Sequence, residues 1–162
     1  VEGQLHHEKQ EAIDMEVRAA VLNDCEVISA NMRESDKVEL RAATGESPRA
    51  ALINSYENTA YPYTIVHEGE PVAMFGVGES PLYDAGIIWL LATDELEKHP
   101  IIFAKHSEEW IEKISAPYKV VTNMVYAKNT TTLRWLEWCG FTLLAPKPFG
   151  KSKELFIQIV RY

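Results

Sequence analysis

The sequence is short of cysteine, of positive charge and of long apolar runs. Cysteine occurs twice, at Cys25 and Cys139, and neither stands in a Cys-x-x-Cys pair. That argues against a structural zinc site and leaves two buried free thiols as the expectation. Lys and Arg number 16 against 24 Asp and Glu, a net charge of −8. A surface of that sign is repelled by phosphate backbones, so nucleic-acid binding is not expected as a main role. The longest apolar run, AGIIWLLA, is strand-length and too short to span a bilayer. Residues 1–14 hold no apolar segment of the kind a secretory signal carries. They read as a polar leader before one domain over 15–162. The His6-His7 pair within them reads as part of a solvated tail, and no metal is expected.

What is present is a regular alternation of strand and helix signals. MEVRAAV alternates and predicts a first strand from Met15 to Val21. Asn23 or Asp24 can then cap a helix carrying Val27, Ile28 and Met32. A second helical stretch starts at Ser35 with Gly45 as its stop. Ser47 as N-cap and Pro48 at the first helical position open a third. Two short strands flank the turn signal His67-Glu68-Gly69-Glu70. The run Ala85–Ala92 shows no alternation, as a strand covered on both faces does. Ile102, Phe103, His106, Trp110 and Ile114 follow at helical spacing, and Pro117 ends that helix. His67 is expected to be exposed in its turn, and His106 to be partly buried. YKVVTNMVYAK predicts a further strand, NTTTLRWLEWCGF a helix, and the tail two strand-like pieces. The pattern argues for an α/β protein with a mixed sheet and helices on both faces. Trp89, Trp110, Trp135 and Trp138 fall in this half; core packing is expected, with at least one indole left partly exposed.

In VYAKNTTTLRWLEWCGF a strand runs into Asn129, a small residue, Thr132, follows three positions on, and the helix closes on Gly140-Phe141. Asn129 can cap the helix, Gly140 can take the left-handed conformation that stops it, and Phe141 can turn back into the core. These spacings and the element order resemble the GCN5-related N-acetyltransferase (GNAT) superfamily over nearly all of the chain after the leader. The resemblance implies a mixed, mostly antiparallel central sheet that splays between the GIIWLLA and NMVYA strands, with Trp89 and Met124 near the cleft. It also implies acetyl-CoA as cofactor if the chain is enzymatic. The implied cofactor contacts are then Leu91, Ala92, Lys98, His99, Ile101, Asn129 and Thr132, and the implied catalytic groups Tyr126 and Glu57.

The chain departs from that pattern where the chemistry would sit. The cofactor loop of these enzymes is typically Arg/Gln-x-x-Gly-x-Gly/Ala, since glycine lets backbone N–H groups reach phosphate. The corresponding ATDELEKHPII has no glycine, places Pro100 where donors are wanted, and carries Asp94, Glu95 and Glu97, with Lys98 as partial offset. The tyrosine that serves many of them as general acid, four residues before the glycine, is replaced by Leu136. The central strand is wholly apolar, and Asp84, Asp94 and Glu57 read first as surface charges.

The blocks GEPVAMFGV, GIIWLLATDEL and NTTTLRWLEWCGF are similar to those of the internal virion or morphogenesis proteins of short-tailed phages. That likeness implies a phage-encoded, virion-associated or assembly-related protein, with phage or host proteins as partners, located in the bacterial host cytoplasm or packaged in the virion, and with no cofactor. An N-acyltransferase with an atypical cofactor loop is the alternative, and a host-directed binding protein a third reading.

Overall fold

The computed structural model describes residues 15–82 and 84–162, and the leader at 1–14, with His6 and His7, lies outside them. Strand β1 (Met15–Ala19) runs antiparallel to β2 (Tyr63–His67), β2 to β3 (Glu70–Glu79), and β3 to β4 (Ala85–Ala92). Strand β5 (Val120–Tyr126) lies parallel to β4, and β8 (Leu155–Arg161) antiparallel to β5. The short β6 (Thr142–Leu143) and β7 (Lys147–Pro148) both pair with the outer side of β8. This is the expected mixed, mostly antiparallel sheet, with β4–β5 as its parallel pair. The β2–β3 hairpin turns on Glu68 (φ 50°) and Gly69 (φ 80°), the two left-handed residues that match the twist of a tight hairpin.

Helices α1 (Leu22–Ala30), α2 (Glu34–Ala43) and α3 (Pro48–Glu57) fill the link from β1 to β2. The four-residue α4 (Asp94–Glu97) and α5 (Pro100–Ser115) follow β4, and α6 (Thr130–Trp138) follows β5. Side chains alternate across the sheet, so neighbouring residues of one strand feed different layers. Met74, Trp89 and Leu91 pack with Cys25, Ile28 and Leu52 of α1 and α3. One residue along each strand, the cross-strand pair Phe75 and Leu90 faces the other way and packs with Phe103 and Trp110 of α5. Leu133 and Leu136 of α6 join Ile111, Val121 and Phe141 in a further cluster. Both cysteines are free and buried, as expected.

The third helix starts as its sequence predicts: Ser47 Oγ accepts from the Ala50 N–H at 3.2 Å and Pro48 takes the first helical position. The first does not. Its N-cap is Val21, and Asp24 sits at the third helical position. There it accepts from the Val21 N–H at 2.9 Å, from Arg18 at 2.8 and 2.9 Å, and from Thr64 Oγ1 at 2.8 Å. A carboxylate in the first turn takes up the N-cap N–H from inside the helix, and Asn23 makes no cap.

Gly140 has φ +95° and its N–H donates to Glu137, while the Phe141 N–H donates to Leu136 at 3.0 Å. Phe141 is thereby returned to the core at 3% exposure. A β-carbon at Gly140 would come no nearer than 3.5 Å to Arg161 Nε, so space is available and the constraint is conformational. Gly140→Val is expected to cost about 1–2 kcal/mol or more from left-handed strain. That corresponds to a fall in melting temperature of roughly 3–8 °C for a chain of this size. A melting curve that superimposes on the parent's would contradict the helix-stop role.

Candidate functional site

Strands β4 and β5 pair over three positions only, Ala85 with Val120, Gly86 with Val121 and Ile87 with Thr122. Beyond Ile87 they diverge, which is the splay that the resemblance implies. Asn123 marks the point of parting. Its Nδ2 donates to the Ile88 carbonyl at 2.6 Å and its Oδ1 accepts from the Met124 N–H at 2.7 Å. A side chain thus replaces the ladder where the ladder ends. Trp89 and Met124 both lie on the diverging segments. The Trp89 indole turns away to donate to Thr59 Oγ1 at 2.9 Å, and Met124 packs toward Tyr126 and Phe156.

Helix α2 closes the mouth of this gap. At the β4 side, the Asp36 carboxylate accepts from the Ala92 N–H at 2.8 Å, and the Ala92 carbonyl accepts from the Arg33 N–H at 2.9 Å. Met32 bridges Thr93 in antiparallel fashion just beyond. At the β5 side, Glu39 Oε2 accepts from the Tyr126 N–H at 3.0 Å and from Asn129 Nδ2 at 2.8 Å. At the far end of the helix, the Ala43 and Ala42 carbonyls accept from the N–H groups of Lys151 and Ser152 at 2.9 and 3.0 Å. Asp36 and Glu39 are three apart, hence on neighbouring positions of one helical face. One reaches β4 and the other β5, so the helix spans the opening.

The electrostatics follow from that placement. Burial pushes both carboxyls above the ordinary carboxylate range, against the opposing pull of Arg33 at Asp36 and of the Tyr126 and Asn129 donors at Glu39. Arg33 Nε lies 2.8 Å from Asp36, and Arg33 also reaches Glu97 at 3.6 Å. With folded values above unfolded ones, the stability linked to these two protons is complete below the ordinary carboxylate range. It is lost as pH rises through the raised values.

The structure spreads the sequence-derived site residues over several environments. Ala92 stands at the gap, but its N–H and C=O are both bonded to α2. Leu91 points into the α1–α3 layer. Asn129 occupies the N-cap position of α6, yet its side chain makes no capping bond and serves the half-buried Glu39 instead, a carboxylate being a strong acceptor. Thr132 is half-buried in the first turns of the same helix. Lys98 is exposed and paired with Glu95. Ile101 is 66% exposed in the first turn of α5. His99 is the N-cap of α5, and its ring lies 4.3 Å from that of His67. His67 is therefore not an exposed turn residue: it ends β2 and is buried at 9% exposure, the turn itself being Glu68-Gly69. His106, expected to be partly buried, is exposed.

Tyr126 is buried, and its hydroxyl donates to Glu154 at 2.7 Å, which raises the phenol above its ordinary pKa. The expected surface hydroxyl is thus absorbed by a partner on the β7–β8 side. Glu57 is exposed at the end of α3, in a surface depression shared with Tyr56, Thr59 and Tyr61 and with no residue of β4 or β5. The structure does not bring Tyr126 and Glu57 together. Sequence reasoning missed Asp36 and Glu39. The available signal was that Glu39 stands three residues from Ala42, an inward residue of α2, and three from Asp36. Among the described residues no group of three or more His, Cys, Asp or Glu is placed to hold a metal ion. No helix among them is long and apolar enough to cross a membrane.

Solved acetyltransferase structures share this architecture. Ard1 from Thermoplasma volcanium superimposes with a TM-score of 0.68 at 14% identity, covering 91% of this chain and 97% of that one. The ribosomal-protein-S18-alanine N-acetyltransferase of Escherichia coli gives 0.62 at 15% identity, covering 90% and 92%. The ribosomal-protein-S5-alanine acetyltransferase of Vibrio fischeri gives 0.63 at 13%, covering 91% and 92%. The chain has the GNAT acetyltransferase fold. No protein-family model matches it, and no curated protein sequence does.

Proposed function

We propose that this chain uses the acetyltransferase fold as an interaction scaffold, in a phage-encoded protein associated with the virion or its assembly. The observation that carries the first part is the state of Ala92. A cofactor arm lying along the splayed edge of β4 would need backbone donors and acceptors there, and those of Ala92 are engaged by Asp36 and Arg33. The phosphate end is no better provided. Pro100 removes a donor from the first turn of α5, and Asp94, Glu95 and Glu97 surround the approach. Support for the phage assignment comes from the sequence blocks GEPVAMFGV, GIIWLLATDEL and NTTTLRWLEWCGF. The partners are phage or host proteins, and Trp138, 57% exposed on α6, is a contact residue of the kind such interfaces favour. The place of action is the bacterial host cytoplasm or the virion interior.

The second reading is an acetyl-CoA-dependent N-acyltransferase, favoured by the β4–β5 splay itself. Its acid would be Tyr126, since Leu136 carries no proton. Two measurements separate the readings. Finding the chain in purified virions or in an assembly complex supports the scaffold. Saturable acetyl-CoA binding with turnover on an amine, lost in Tyr126→Phe, supports the enzyme.

A further inference from the structure

Between α5 and the sheet lies an apolar cavity of about 230 Å³, on the layer opposite α1 and α3. Val17, Phe75 and Leu90 form its floor, and Phe103, Trp110 and Trp135 its walls. The space is open to solvent on one side, and aliphatic and aromatic side chains make up most of its lining. The indole N–H of Trp135 is already committed to Ser107 Oγ at 2.9 Å, and Ser107 in turn donates to the Ala104 carbonyl at 2.8 Å. A water molecule needs two to four polar partners to be held, and these walls offer few. Ser107 and His106 are the polar residues of the lining, the first buried and the second exposed. The exposed His106 imidazole borders the cavity. Two turns further along α5, the Lys113 ammonium is held 4.4 Å from the Trp110 ring centroid and 5.6 Å from that of Tyr63. Stacking on Trp110 fixes a cation against a wall residue of the cavity, in a chain whose net charge is −8.

A largely apolar chamber with a cation stacked on one of its wall residues has the character of a site for an amphiphilic anion. A benzene-sized guest occupies a cavity of roughly 150 Å³, so 230 Å³ takes an unbranched tail of about eight to ten carbons. We infer that this cavity binds a medium-chain carboxylate, tail between α5 and the sheet, head at Lys113. The site lies on the α5 face of the sheet; Leu90 is its one residue from the diverging segment of β4, and it does not use the Ala92 backbone.

Octanoate tests the assignment, with octanol as the neutral probe of equal length. Octanoate is expected to raise the melting temperature saturably, and a terminally brominated octanoate to quench tryptophan emission, because Trp110 and Trp135 line the space. Lys113→Ala changes an exposed side chain, and is expected to weaken octanoate about three-fold while leaving octanol unchanged. Val17→Phe fills the chamber and is expected to abolish both. If that variant fails to fold, the Lys113→Ala comparison and the quenching still decide. Absence of octanoate binding up to about 5 mM would overturn the proposal. So would octanoate binding that Lys113→Ala leaves untouched, since the head would then lie elsewhere.

Discussion

Asp36→Ala should lose about 3 kcal/mol or more of folding stability, the largest effect expected of a single polar substitution in this chain. The carboxylate is 7% exposed and has two partners, Arg33 Nε and the Ala92 N–H, both at 2.8 Å. Truncation leaves a guanidinium whose side chain is only 15% exposed with its main counter-charge gone. It also leaves a buried backbone donor unsatisfied, which alone costs about 1–3 kcal/mol. The methyl group that replaces the carboxylate repairs neither. Asp36→Asn keeps an acceptor for Ala92 and is expected to lose less. Urea denaturation of the two variants beside the parent checks both the size and the order. Equal losses in the two variants would show that the Ala92 bond does not hold α2 in place.

Gly150→Ala should be nearly as costly, at about 3 kcal/mol, for steric reasons. Gly150 has φ +74°, and a β-carbon there would lie 2.6 Å from the Ala43 carbonyl oxygen and 2.8 Å from the Ala43 Cα. Both are backbone atoms of α2 and cannot rotate aside. The loop would have to lift, breaking the bonds from Lys151 and Ser152 to the last carbonyls of the helix. Left-handed strain of about 1–2 kcal/mol adds to overpacking of about 1–3 kcal/mol. Gly69→Ala supplies the internal control. Its φ is +80°, but nothing lies within 4 Å of the added carbon, so only the strain remains. Thermal melts in which the two glycine variants fall equally would remove the close approach from the account.

The parts of the structure legible in the sequence are those set by neighbours in the chain. The apolar run Ala85–Ala92 forms the central strand, Ser47-Pro48 opens α3, Glu68-Gly69 turns the hairpin, and Gly140 stops α6, because each signal is complete within a few residues. Gly45 likewise follows α2 with φ +75°, its N–H donating to Leu40. The splay of β4 from β5 came from the resemblance and not from any local pattern. What closes the splay was not legible. Asp36 and Ala92 are 56 residues apart, and Glu39 and Asn129 are 90 apart. A helix such as α2, with charges at half of its ten positions, reads as a solvated element until its partners are known. His67 shows the same limit: the sequence places it beside a turn, and only the fold brings His99 against it.

The claim that matters most is that α2 occupies the backbone positions a cofactor would use. Isothermal titration of the folded chain with acetyl-CoA and with CoA, at low and at physiological salt, addresses it directly. The expected dissociation constant is above about 100 μM, an affinity of less than about 5.5 kcal/mol, with no rise in melting temperature. Lowering the salt should not rescue binding, because the loop carboxylates repel phosphate more strongly when screening is reduced. Micromolar binding of acetyl-CoA accompanied by a higher melting temperature would contradict the account and make the enzyme reading the correct one.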